Sequence, residues 1–60
     1  MNATERHNYA SRLLQQYGTE AIAIAAQRAR QYEDRNDEDQ RRLWRQIEMI
    51  LKEMRGPGES

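Results

Sequence analysis

The stretch Leu43-Trp44-Arg45-Gln46-Ile47-Glu48-Met49-Ile50-Leu51-Lys52-Glu53-Met54 decides how this chain reads. Its apolar members Leu43, Trp44, Ile47, Ile50, Leu51 and Met54 stand at offsets 0, +1, +4, +7, +8 and +11. At about 100° per residue those positions converge on one stripe of a helix. Charged and amide side chains fill the remainder, except Met49, which falls on the opposite side. Just downstream, Gly56-Pro57-Gly58 offers a glycine able to take the left-handed C′ conformation and a proline unable to continue the ladder, so the helix is expected to stop at 55. An apolar stripe must be covered. The residues before it have to supply that cover.

Working back, Asp37 followed by Gln40 has the form of a capping box and sets the start of this helix at Glu38. Glu38 and Asp39 then fall in its first turn, and Lys52 and Arg55 in its last, each with the sign that the helix dipole favours. The polar link Glu33-Asp34-Arg35-Asn36-Asp37 is rich in turn formers and contains no glycine. Before it, Ala21-Ile22-Ala23-Ile24-Ala25-Ala26 alternates like a strand, but alanine is the best helix former and a poor strand former, so a second helix is expected. Ala21, Ile22, Ala25, Ala26, Ala29 and Tyr32 share one side of it. Small residues there allow close approach, with Leu13, Leu14, Trp44, Ile47 and Leu51 as natural fillers.

The first helix carries Tyr9, Ala10, Leu13, Leu14 and Tyr17 along one face. Thr4 is its expected N-cap, with Glu5 in the first turn; Gly18 ends it, and Thr19 is the expected N-cap of the second helix. The expectation is therefore all-α: a small three-helix bundle with helices at about 4–17, 20–33 and 38–55 and short connections. One helical domain would cover 1–55, with a flexible tail over 56–60.

Sixty residues allow a single domain, and a chain of that size buries only about 60% of the surface its unfolded form exposes. Small domains usually add a disulfide, a metal or a second subunit. Cysteine is absent, which removes disulfides and thiolate metal sites and leaves self-association as the available support. The longest apolar run is Ala21 to Ala26, far short of the about 20 residues that span a bilayer. The first residues, Met1 to Asn8, lack the apolar core of a signal peptide. The expected setting is cytoplasmic, with no membrane contact.

Ten basic and ten acidic side chains balance overall, so no long-range attraction to nucleic acid or anionic lipid is written into the total. Their distribution is uneven. Glu33, Asp34, Asp37, Glu38 and Asp39 face only Arg35 between residues 31 and 40, while both flanking arms are mildly basic.

Candidate sites for chemistry fail on spacing. A calcium loop of the EF-hand type needs oxygen ligands at positions 1, 3, 5 and 12 and glycine at 6. Counted from Asp34, positions 6 and 12 are Asp39 and Arg45; counted from Asp37, positions 5 and 6 are Arg41 and Arg42. His7 has no nucleophile or oriented acid near it in the pattern, and reads as a surface or boundary residue. A helix-turn-helix pivoting on Gly18 would aim Ala21, Ile22, Ala23 and Ile24 at base edges, and those side chains cannot make the hydrogen bonds that read bases. Arg28, Arg30, Arg41, Arg42 and Arg45 could at most touch a phosphate backbone. The chain is also judged too small to hold a pocket of about 300 Å³.

The order Tyr9-Ala10, Leu13-Leu14, Gly18, Ala21, Ala25-Ala26, Arg28-Ala29, an acidic link, then Trp44, Ile47 and Ile50 resembles a group of short uncharacterised bacterial helical proteins, over roughly residues 9 to 51. That resemblance implies the helical fold and no activity. The functional expectation is a non-enzymatic protein–protein interaction module without a cofactor. Its partner would be a second copy, as a homodimer, or an unidentified protein on which it docks as a regulator or inhibitor; the alternative is a weak nucleic-acid binder acting through the arginines. Ile24, which lies opposite the apolar side of the second helix among Gln27, Arg28 and Gln31, together with Trp44, Met49, Ile50 and Met54, gives the candidate apolar contacts, with Asp34 and Asp37 as a charged epitope.

Overall fold

A computed structural model describes residues 2–55, with the side chain of Arg55 left out of the description. It contains three helices, α1 (Ala3–Tyr17), α2 (Glu20–Asp34) and α3 (Glu38–Arg55), packed as a small three-helix bundle. The expected stop at Gly56-Pro57-Gly58 and the expected tail over 56–60 lie outside the described residues.

Asn2, rather than Thr4, caps α1. Its side-chain oxygen accepts from the Glu5 amide at 2.8 Å, and the Glu5 carboxylate accepts from the Asn2 amide at 3.3 Å, a reciprocal capping box. Two donors orphaned by the helix start are thereby satisfied, and Thr4 lies inside the first turn. At the other end the Gly18 amide donates to the Leu14 carbonyl at 2.8 Å.

Gly18 then takes φ 63° and ψ −138°, a combination that a Cβ makes costly and that turns the chain as the first central residue of a type II′ turn does. Thr19 follows in the helical region, φ −66° and ψ −18°, and makes no side-chain cap bond. A capping hydroxyl needs extended backbone at its own residue to reach over the next amides; the tight turn at Gly18 denies Thr19 that geometry. Gly18→Ala meets no heavy atom within 4 Å of the added Cβ, so its cost is conformational alone, about 1 kcal/mol or more. A thermal melt followed by circular dichroism should show that loss with the helix content of the folded state unchanged.

The link from α2 to α3 is shorter than its composition suggests, because α2 continues through Asp34. Asn36 sits at φ 62°. Its amide donates to the Glu33 carbonyl at 3.0 Å and the Asp37 amide to the Tyr32 carbonyl at 2.9 Å, the two bonds of a Schellman motif with asparagine where glycine is more usual. Asp37 serves both helices at once. Having closed α2 with its amide, it opens α3 with its carboxylate, which accepts from the Gln40 amide at 3.3 Å. That is half of the expected capping box; the Asp37 amide is already satisfied by Tyr32.

The core consists of Ala10, Ala21, Ala25, Ala29, Trp44, Ile47 and Leu51. Ala21, Ala25 and Ala29 recur every four residues, so α2 turns a ridge of methyl groups to its neighbours. Into that ridge α3 inserts Trp44, Ile47 and Leu51, and the α2–α3 pair is the most extensive of the three helix contacts. Leu13 and Leu14 of α1 are only half-buried against this cluster. The α1–α2 contact is the smallest, so α1 behaves as a cover over a two-helix hairpin.

Candidate interaction surface

Trp44 is 6% exposed and belongs to the core rather than to an outer face. Two side chains from other helices close over it. The Tyr9 ring meets the indole edge to face, with centroids 5.5 Å apart and planes at 86°, the arrangement that aromatic quadrupoles favour. From α2, the Arg28 guanidinium carbon lies 5.3 Å from the indole centroid, within the range of a cation–π contact. Ile50 and Met54 are also half-buried against the core. Three of the five apolar interaction candidates are thus used by the bundle itself.

The other two differ from each other. Ile24, expected on the outer side of α2, is half-buried and lines a depression of about 320 Å³ together with Tyr17, Gln27, Arg28 and Gln31. Met49 is 59% exposed, as its position opposite the stripe implies, and lies in a second depression with Arg45, Glu48 and Lys52. Glu48 holds both cations, accepting a hydrogen bond from Arg45 Nη1 at 3.0 Å and forming an ion pair with Lys52 Nζ at 3.4 Å.

Tyr9 at 38% and Tyr17 at 42% are, with Met49, the large apolar side chains left exposed among the described residues. Sequence reading placed both tyrosines within the stripe of α1. Tyr17 occupies the final position of α1 before the Gly18 turn, beside Ile24 and Arg28 of α2. Tyr9 sits at the stripe's edge, and its contact with Trp44 depends on how α1 crosses α3.

At the α2–α3 end, Glu33, Asn36, Asp37, Glu38 and Arg41 line a depression of about 340 Å³. Such volumes exceed what the sequence was judged able to hold, but every lining residue is exposed or half-buried, so this is an open furrow between side chains. Asp34 and Asp37 are both exposed. Glu38 accepts from Arg41 Nη2 at 2.9 Å. That hydrogen bond, reinforced by the nearby charges of Arg41 and Arg42, holds the Glu38 carboxyl below the ordinary carboxylate value. The contribution is present above that ordinary value and fades as pH falls through the lowered one; on an exposed side chain it is small.

Arg28, Arg41 and Arg45 are therefore engaged with Trp44, Glu38 and Glu48, while Arg35 stacks on Tyr32 at 5.8 Å. Of the four residues a helix-turn-helix would aim at bases, Ala21 is buried, Ile22 and Ile24 are half-buried and Ala23 is exposed. His7 is exposed. Among the described residues no group of three or more histidine, aspartate or glutamate side chains is arranged to hold a metal ion, and no helix is long and apolar enough to cross a membrane. No family model, curated protein or solved structure matches the chain.

Proposed function

We propose that this protein is a non-enzymatic interaction module that associates with a second copy of itself. The observation that carries the reading is the apolar surface the bundle leaves over: Tyr17 beside Ile24 and Arg28 on the α1–α2 side, and Met49 on the outer face of α3. Tyrosine, methionine and arginine are residue types enriched at protein interfaces. A two-fold dimer is the commonest way for a small chain to cover such a surface, and a core of seven residues has little stability of its own to spare.

Sedimentation equilibrium at micromolar concentration tests this. The expected result is a dimer that the pair Tyr17→Ser and Ile24→Ser returns to a folded monomer. A wild-type species of 7.2 kDa that stays folded at the same concentration would overturn it.

A second reading, docking on a larger protein through the acidic end, is favoured by the form of the α2–α3 turn. Its backbone is fixed by the Schellman bonds and the Asp37 cap, so Glu33, Asp34, Glu38 and Asp39 are displayed from an ordered support. Asp37 is a poor residue with which to probe it, since its carboxylate caps α3. Asp34→Lys changes the epitope without touching that cap, and should abolish co-purification of a partner from the native cell.

A further inference from the structure

Met49 is the most exposed large apolar side chain among the described residues. It is 59% exposed and makes no contribution to the core. The residues four before and three after it on the same helix face are Arg45 and Lys52, and these line its depression with Glu48. Arg45 gives Glu48 one hydrogen bond and Lys52 pairs with it at 3.4 Å, which leaves most of the five donors of the guanidinium and the three of the ammonium unspent. A thioether open to solvent thus lies between two donor side chains, Arg45 and Lys52, that it cannot itself use well, since sulfur in this form is a weak acceptor. Its sulfoxide would use them.

We infer that Met49 is a reversible oxidation site for peroxides, with Arg45 and Lys52 placed to receive the new oxygen. A lone pair of the sulfur attacks one oxygen of hydrogen peroxide, an S–O bond forms and the O–O bond breaks. Sulfur loses two electrons to the peroxide. The sulfur-bound hydroxyl then gives its proton to the departing hydroxide, which leaves as water. The product replaces a flexible apolar end with a polar acceptor. At a packed position such a change breaks a core; at Met49 it leaves the bundle untouched and alters only the outer face of α3.

Met54 is the internal comparison, because it is half-buried and packed against the core on the same helix. Trypsin separates the two, cutting after Arg45, Lys52 and Arg55 to give peptides 46–52 and 53–55. The experiment exposes the folded chain to hydrogen peroxide at a dilution where sedimentation gives the monomer, so that self-association cannot shield Met49, and follows both peptides by mass spectrometry. Peptide 46–52 is expected to gain the mass of one oxygen well before 53–55. The melting midpoint should not move at that stage, and methionine sulfoxide reductases should remove the added mass. Met49→Leu should abolish the gain in 46–52 alone. Oxidation of 53–55 first or at an equal rate, a drop in the melting midpoint when only 46–52 is modified, or resistance of the product to the reductases would each overturn the inference. None of these readouts depends on whether the chain dimerises.

Discussion

Trp44→Ala is expected to leave much of the chain unfolded at room temperature. Truncating a buried tryptophan removes its transfer free energy and opens a cavity, together about 3–5 kcal/mol. At roughly 0.05–0.15 kcal/mol per residue, a 60-residue domain has only about 3–9 kcal/mol in total. The loss is aggravated by what sits above the indole. Tyr9 gives up its edge-to-face partner and Arg28 the ring beneath its guanidinium, so one substitution loosens the contacts α1 and α2 both make with α3. Urea titration followed by circular dichroism measures the effect, and a midpoint within error of the wild type would mean that the indole is not the keystone this packing makes it. Trp44→Phe provides the graded control: it keeps an aromatic face for Tyr9 and Arg28 and should retain a cooperative transition at lower midpoint.

Ala25→Leu is expected to cost at or above the upper end of the about 1–3 kcal/mol typical of overpacking. Intrinsic helix propensity barely changes between the two residues, so the whole effect is steric. Ala25 is 0% exposed, as are Ala21 and Ala29 on either side of it, and it lies at the centre of the ridge that meets α3. Three extra carbons there have no void to enter, and α2 has to move away from Ile47 and Leu51. The same substitution at Ala23, which is exposed, should leave the melt nearly unchanged. Comparing the two by thermal denaturation separates packing from propensity; equal midpoints would show that α2 and α3 are not in close contact.

Both predictions rest on a division of labour between large and small side chains that is written in the sequence. The spacing of Leu43, Trp44, Ile47, Ile50, Leu51 and Met54 requires an amphipathic helix, and the alanines of residues 21–29 require a second one narrow enough to receive it. Glycine at 18 marks the first turn for a local reason, the positive φ that the chain adopts there. Local signals of this kind survive folding because they depend on residues within one turn of each other.

The caps were read less well, and for a physical reason. Threonine and asparagine are both good N-caps, so the choice of Asn2 over Thr4, and the failure of Thr19 to cap α2, turn on backbone angles that a list of propensities does not contain. Asn36 illustrates the opposite case. A link without glycine closed α2 as tightly as glycine would, since asparagine tolerates the left-handed region.

The candidate surface was only partly legible. Met49 could be placed from periodicity alone, because it lies opposite the stripe that α3 buries and no other helix packs over it. Trp44, Ile50 and Met54 shared the stripe, and the sequence could not say how much of it the bundle would consume. Tyr9 and Arg28 carried no sequence signal for their contact with the indole, being on different helices from it and from each other.

By itself, then, the sequence determined the number of helices, their apolar faces and the break at Gly18, because periodicity and turn chemistry act over a few residues. Only the tertiary structure decided how much of each apolar face the bundle consumed. Burial along a face is settled by how helices cross, and that crossing put Tyr9 and Arg28 over Trp44 and set Ile24 beside Tyr17.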